Sequence, residues 1–233
     1  METARIAALL EPFLDRPLAP SQLDRISIYI DLLQRWNARI NLTAIRNEEE
    51  IVTRHFGESL FLARHLFPSE APASDSLPAP EGSPSPLRLG ENVGVLDIGS
   101  GAGFPAIPLK IWAPSIRLTM IESNHKKAAF LNEVARALTF AGINVIVDRA
   151  DAVAAGPHPP KADIVTLRAV ERFESILPEA VSFLAPNGIL ALLITTSQTS
   201  SLTTHTQLKW TTPIHIPKSQ TRIVSMGRID KVE

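Results

Sequence analysis

The chain contains no cysteine, which excludes disulfides, thiolate zinc sites and a cysteine nucleophile, and fits a reducing compartment such as the cytoplasm. Nor does any stretch approach the roughly 18 uninterrupted apolar residues that a membrane helix requires. Residues 1–14 carry Glu2 and Glu11 among their apolar positions, so no basic segment leads into a long apolar core and a signal peptide is not expected. Charge of either sign is also in short supply: 23 basic against 24 acidic residues leave a formal net charge of −1. With no global field to attract a polyanion, any nucleic-acid binding has to rest on a local patch. There is no internal repeat. What remains, 233 residues that are 45% hydrophobic and 20% charged, is ordinary for a globular protein long enough to bury a substantial core.

The most informative stretch runs from Val93 to Pro105, where an apolar strand pattern gives way to glycines at 99, 101 and 103. Glycines there allow a sharp turn and a close approach of backbone to ligand, and the apolar residues before them suit a strand covered on both faces. The spacing is G-x-G-x-G, with Phe104 where the dinucleotide fingerprint places its third glycine, and Asp97 stands two residues before the first glycine. A carboxylate at that strand end welcomes an ammonium and repels a pyrophosphate, so the pattern favours S-adenosylmethionine over a dinucleotide. Glu122 ends the next strand, at a spacing from which a carboxylate can take both hydroxyls of a ribose. Ala150 and Asp151 follow the third strand; the pair is expected either at the adenine edge or, with Asp151 as N-cap, at the start of a short helix.

Around this turn the chain divides into three parts. Residues 1–68 read as a helical appendage: Ser21 to Asp24 resembles a capping box, and Leu23, Ile26, Ile30, Leu33 and Trp36 follow at helical spacing. Asn47 is expected to cap a second helix whose first turn holds Glu48, Glu49 and Glu50, an electrostatic arrangement and not a metal site, with Pro68 as its stop. Residues 69–91 are rich in Pro, Ala and Ser and read as a linker or insertion. Residues 92–233 alternate strand and helix patterns, including a helix from Asn124 to Ala141 stopped by Gly142 and single strands over about 207–216 and 221–226. The expected architecture is α/β, a doubly wound, mostly parallel, seven-stranded Rossmann-like sheet with ligands at the carboxyl ends of the strands.

A second polar constellation precedes the linker: Arg35, Trp36, Asn37, Arg39, Asn41 and Thr43, then Arg54, His55, Glu58 and Ser59. His55 lacks a second histidine at i+4, so no metal site is expected there. Lys126 and Lys127 open the helix after Glu122, where they face phosphates or simply solvent.

Together these motifs resemble the RsmG family, also called GidB. The resemblance runs from Trp36-Asn37 and Asn41-Leu42-Thr43 through Arg54-His55-x-x-Glu58-Ser59, the glycine stretch with its Phe104-Pro105 continuation, Glu122-Ser123 and Lys126-Lys127, to Arg168-Ala169. It implies S-adenosylmethionine-dependent methylation of N7 of one guanine in the 530 loop of 16S ribosomal RNA, by a cytoplasmic, monomeric enzyme without metal whose partner is that RNA or the small subunit. Carried across, Gly99, Gly101, Gly103 and Phe104 line the cofactor, Glu122 holds its ribose, Ala150 and Asp151 its adenine, and Arg168 the cofactor or substrate side. Because N7 carries a lone pair and no proton, no general base is needed, and a carboxylate beside the guanine N1 and N2 hydrogens helps as positive charge spreads into the purine. Glu58 and Asp97 are the candidates for that role. Arg35, Asn37, Arg39, Asn41, Arg54, His55, Lys126 and Lys127 are the candidates for RNA contacts. The chain departs from the family at Glu58, commonly Asp, at Ala106, commonly Gly, and at Thr195-Thr196, where a Lys is common. A small-molecule methyltransferase and a non-catalytic ribosome-assembly module are the rival readings, and the salt dependence of RNA binding separates them.

Overall fold

A computed structural model describes residues 1–68, 92–168, 173–202 and 208–229. The segment 69–91, expected as a linker, and Ala169 lie outside the described residues. The chain opens with α1 (Thr3–Leu10), a short 3₁₀ turn (Glu11–Phe13) and α2 (Pro20–Asn37). The start of α2 differs from expectation: the cap is Ala19, Pro20 takes the first helical position, and Gln22 accepts the Ala19 N–H at 2.9 Å. Proline costs nothing there because its missing N–H would have had no helical partner. Gln22 also donates to the Ile111 carbonyl at 2.8 Å, so the same side chain that starts the helix ties it to the rest of the molecule.

Asn47 caps the next helix as expected, accepting the Glu50 N–H at 3.0 Å. This helix is continuous but not uniform: α3 (Glu48–Glu50) runs into a π-helical segment (Ile51–Gly57) and then α4 (Glu58–Leu66). The π segment widens the helix where Arg54, His55 and Phe56 lie, an irregularity that marks functional positions in many helices.

The sheet comprises β1 (Gly94–Ile98), β2 (Arg117–Ile121), β3 (Ile143–Ile146), β4 (Ala162–Arg168), β5 (Leu184–Thr195), β6 (Leu208–Trp210), β7 (Ile214–His215) and β8 (Arg222–Ile229). Its order is β3-β2-β1-β4-β5-β8-β6, with β7 also on β8. The first five strands are parallel and β8 runs antiparallel to β5. The single strand expected over 207–216 is instead two short ones, both paired with β8 and interrupted at Thr211–Pro213. Pro213 has no N–H to give a ladder, so the pairing breaks there and resumes at Ile214. Four helices join the parallel strands: α5 (Ala106–Trp112), α6 (His125–Ala137), α7 (Ala150–Ala154) and α8 (Phe173–Ser182). The α6 helix ends four residues short of the expected Ala141, because Thr139 rather than Gly142 makes the first left-handed turn, at φ 54°.

Two apolar cores flank the sheet. On one face Leu177, Phe183, Leu190 and Leu192 pack against Leu96, Val165 and Leu167. On the other, Ile6, Phe13, Ile26, Tyr29, Leu33 and Phe56 from the N-terminal helices share one core with Val95, Leu118, Phe130 and Ile164. The N-terminal helices are therefore a layer of the same core. Trp36 donates to Glu133 at 3.1 Å and Trp112 to the Phe67 carbonyl at 3.0 Å, which fastens that layer to α6 and α5. No helix of the described residues is long and apolar enough to cross a membrane.

Candidate functional site

The strand order reverses between β1 and β4, and ligands on such sheets sit at that switch point, beyond the carboxyl ends of the strands. The glycine turn lies there. Gly99, Gly101 and Gly103 all have positive φ, at 67°, 56° and 86°. Gly99 is exposed, and a Cβ on Gly101 would meet only the Gly99 carbonyl, at 3.7 Å, so this part of the backbone is open to a ligand. Gly103 is different. A Cβ there would come within 2.5 Å of the Tyr29 hydroxyl and 3.1 Å of Leu131, so the close approach it permits is to the protein's own α2 helix. Tyr29 donates to the Ala102 carbonyl and thereby holds the turn from beneath. Of the three glycines expected at the cofactor, Gly103 is the one whose Cα faces the protein interior.

Phe104 is likewise committed inward. Tyr29 stacks on its ring at 5.2 Å and His55 at 4.7 Å, while Phe56 meets it edge-on. With its rings so packed it is 7% exposed and serves the seam between helices and turn more than a ligand.

The carboxylates divide by their surroundings. Glu122 spends both oxygens on the turn: Oε2 accepts the Gly101 N–H and Oε1 the Asn124 N–H, each at 2.8 Å. Each oxygen keeps a further lone pair's worth of accepting capacity. Asp97 is 1% exposed; its Oδ1 accepts the Thr166 hydroxyl at 2.6 Å, and its Oδ2 is buried with no partner. Burial, with a contribution from the charge of Glu122, raises its pKa to about 6 against the restraint of the Ser100 and Thr166 hydroxyls and the charge of Arg168. A buried carboxylate with one oxygen lacking a hydrogen bond therefore lies under the open glycine turn.

Glu58 is 2% exposed and sits between two guanidiniums: Arg168 Nη2 lies 3.0 Å from Oε2 and Arg222 Nε 2.6 Å from Oε1. The second contact is an ion pair poorly aligned for a hydrogen bond, since neither atom counts a hydrogen-bond partner. Burial pushes the Glu58 pKa up and the guanidiniums of Arg168, Arg222 and Arg54 hold it back. Arg168 in turn donates to the Arg54 and His55 carbonyls at 2.6 and 3.4 Å. Glu58 and Arg168, expected in catalytic roles, thus face each other, with Arg168 also bonded to the π segment and Glu58 Oε1 left without a hydrogen bond. Arg222 was not singled out by the sequence. It reaches the site because β8 is antiparallel to β5, with Arg222 opposite Thr195.

Two residues expected at the RNA, Asn37 and His55, are engaged in hydrogen bonds within the chain. Asn37 accepts the Leu42 and Thr43 N–H groups at 2.9 and 3.1 Å and donates to the Thr43 carbonyl at 3.0 Å, closing the loop from residue 37 to 43. His55 Nε2 bonds the Thr43 hydroxyl at 2.8 Å, and burial plus the charges of Arg168, Arg54 and Arg222 lower its pKa to about 3, so it carries no charge for phosphate. Arg35, Arg39, Asn41 and Lys126 are exposed, and Lys127 half-buried, as surface contacts require. Asp151 does not cap α7, whose N-cap is Arg149; it is exposed and paired with Arg149 at 2.9 Å, beside the buried Ala150.

The sheet order and the glycine turn at its switch point define a Rossmann-like fold of the methyltransferase class. A putative transferase from Pyrococcus horikoshii shares it with TM-score 0.53 and 12% identity, over 74% of this chain and 62% of that one. A SAM dependent methyltransferase from Aquifex aeolicus shares it with TM-score 0.50 and 15% identity, over 60% of this chain and 84% of that one. Within the class, residues 22–74 and 84–222 match the family described as rRNA small subunit methyltransferase G, and the chain belongs to that family. The ribosomal RNA small subunit methyltransferases G of Roseiflexus castenholzii and Caldanaerobacter subterraneus are 37% and 39% identical to it, over 72% and 69% of this chain. The match spans 65% and 59% of those relatives' own length.

Proposed function

We propose that the protein is an S-adenosylmethionine-dependent methyltransferase that modifies N7 of a guanine in the 530 loop of 16S ribosomal RNA. The observation that carries this reading is the family match across both the N-terminal helices and the glycine turn, two segments that pack into one site. The residues present suit the cofactor. The unpartnered Oδ2 of Asp97 answers its ammonium, the open backbone of Gly99 and Gly101 admits it closely, Glu122 has accepting capacity for the ribose, and Ala150 with Asp151 flanks the adenine position.

When bound, S-adenosylmethionine would supply a methyl group to the in-plane lone pair of guanine N7, its sulfur keeping the electron pair of the broken S–CH3 bond, so no residue would have to remove a proton. The chain's own work is then positional. Asp97 and the glycine backbone fix one partner, Tyr29 holds the turn in shape from below, and the helices that carry Arg35 and Arg54, with Arg39 in the turn after α2, present the RNA. The reading implies a cytoplasmic enzyme, acting as a monomer without metal on the RNA or on the small subunit. Incubation with labelled S-adenosylmethionine and either naked 16S RNA or small subunits, followed by mapping of the modified base, tests it. Label at N7 of a 530-loop guanine is expected, and label elsewhere or on neither substrate overturns the reading.

A further inference from the structure

Three guanidiniums meet one buried carboxylate at the same end of the sheet as the glycine turn. Arg54 comes from the π segment, Arg168 from the last residue of β4, and Arg222 from the first residue of β8. Glu58 serves Arg168 and Arg222, and the more exposed Arg54 pairs with Glu50 at 3.0 Å on the outer helix face. These guanidiniums face Glu58 and Glu50, with Asp97 also acting on Arg168, and the neighbouring neutral His55 adds no charge.

The donors are unequally committed. Both terminal nitrogens of Arg168 have acceptors within the protein. Among the described residues, neither terminal nitrogen of Arg222 nor Nη2 of Arg54 makes a hydrogen bond, and these side chains are 27% and 42% exposed. Glu58 thus behaves as a fixed counter-charge that orients Arg222 and anchors Arg168, while among the described residues the terminal nitrogens of Arg222 and one terminal nitrogen of Arg54 make no hydrogen bond. Such forks match the paired oxygens of a phosphodiester or a carboxylate.

We propose that Arg222, held by Glu58, and Arg54, held by Glu50, form a phosphodiester subsite that grips the RNA backbone beside the nucleotide delivered to the glycine turn. The subsite rests on the ribosomal RNA reading above. A polymer backbone fits better than the cofactor's carboxylate because Arg54 lies on a solvent-facing helix side, paired outward to Glu50, whereas the cofactor-facing groups are buried beneath the turn. Arg222 also brings a cation to the end of β5, where Thr195 and Thr196 carry none.

The test compares wild type with Arg222→Gln, Arg222→Lys and Arg54→Gln in equilibrium binding to 16S RNA across salt concentrations, with S-adenosylmethionine affinity measured separately by calorimetry. Each phosphate contact on single-stranded RNA contributes about 0.7 to the slope of log affinity against log salt. Both Gln variants are expected to lose about that much slope with S-adenosylmethionine affinity unchanged within about twofold, and Arg222→Lys to recover the slope. If Arg222→Gln fails to fold with Glu58 half-paired, Arg54→Gln on the exposed face decides alone. A wild-type slope in the Gln variants overturns the subsite, and so does a fall in S-adenosylmethionine affinity at unchanged slope, which assigns the donors to the cofactor's carboxylate. A flat slope in the wild type overturns the RNA reading itself and is distinct from either.

Discussion

Replacing Asp97 by Asn should make the ligand-free protein more stable relative to wild type as pH rises, while weakening cofactor binding. The Asp97 pKa is raised from 3.8 to about 6, and at about 1.36 kcal/mol per unit the buried carboxylate costs the folded state on the order of 3 kcal/mol once it is fully ionised. The sign follows from proton counting. Between the two pKa values the folded state holds the proton and the unfolded state has lost it, so stability falls as pH rises through that window. Of the total, about 2 kcal/mol develops between about pH 4.5 and about pH 7.5. Asn keeps the acceptor for the Thr166 hydroxyl but cannot ionise, so the stability of the variant minus that of wild type should grow by that amount over the interval. The difference is needed because His55 works against it: its pKa is lowered from 6.5 to about 3, so its contribution falls as pH drops below 6.5. Urea unfolding of both proteins at the two pH values provides the measurement. Calorimetry should show S-adenosylmethionine binding weakened about tenfold to a hundredfold in the variant, the loss of one charge-assisted contact. A stability difference that does not change with pH, or undiminished cofactor binding, would refute the assignment of strain at Asp97 to cofactor capture.

Three further perturbations address the seam and the ion cluster. Gly103→Ala places a Cβ within 2.5 Å of the Tyr29 hydroxyl at a φ of 86°, so it should destabilise by more than about 2 kcal/mol in urea unfolding; a neutral effect would mean the turn is not pinned by α2. Glu58→Gln leaves two guanidiniums buried against a neutral amide and should cost about 3–5 kcal/mol, with Glu58→Asp recovering part. Thermal unfolding reads the loss, and a fully stable Gln variant with no turnover would instead restore a direct catalytic role. His55, with its pKa held near 3 by burial and three arginines, should stay neutral throughout the physiological range, so its imidazole resonances should show no titration step near 6.5 by NMR.

Much of the sheet half is legible in the sequence because its signals are local. The apolar run into the glycine turn, the carboxylate closing β2 and the strand-helix alternation each need only a window of about ten residues to read. The helix cap at Asn47 is legible for the same reason, its side chain reaching three residues along. The cap of α2 is not, since Gln22 reaches back to a backbone N–H and so leaves Ala19 free to be any residue. Periodicity also conceals the π segment, because one widened turn shifts the apolar pattern by less than the spacing of the pattern itself. The roles of Glu58, Arg168 and Arg222 are set across more than 100 positions, with Glu58 and Arg168 separated by 110, and pattern alone cannot say whether a carboxylate awaits a ligand or a guanidinium. The glycine turn shows the same limit within five residues. Gly99 and Gly101 look outward to a ligand, whereas Gly103 exists to let Tyr29 in. A uniform alternation of glycines therefore serves two surroundings, open space and a built-in helix, and that helix belongs to the layer that carries the proposed RNA contacts. The shape of the cofactor turn and the placement of those helices are consequently one packing problem, solved in a single core.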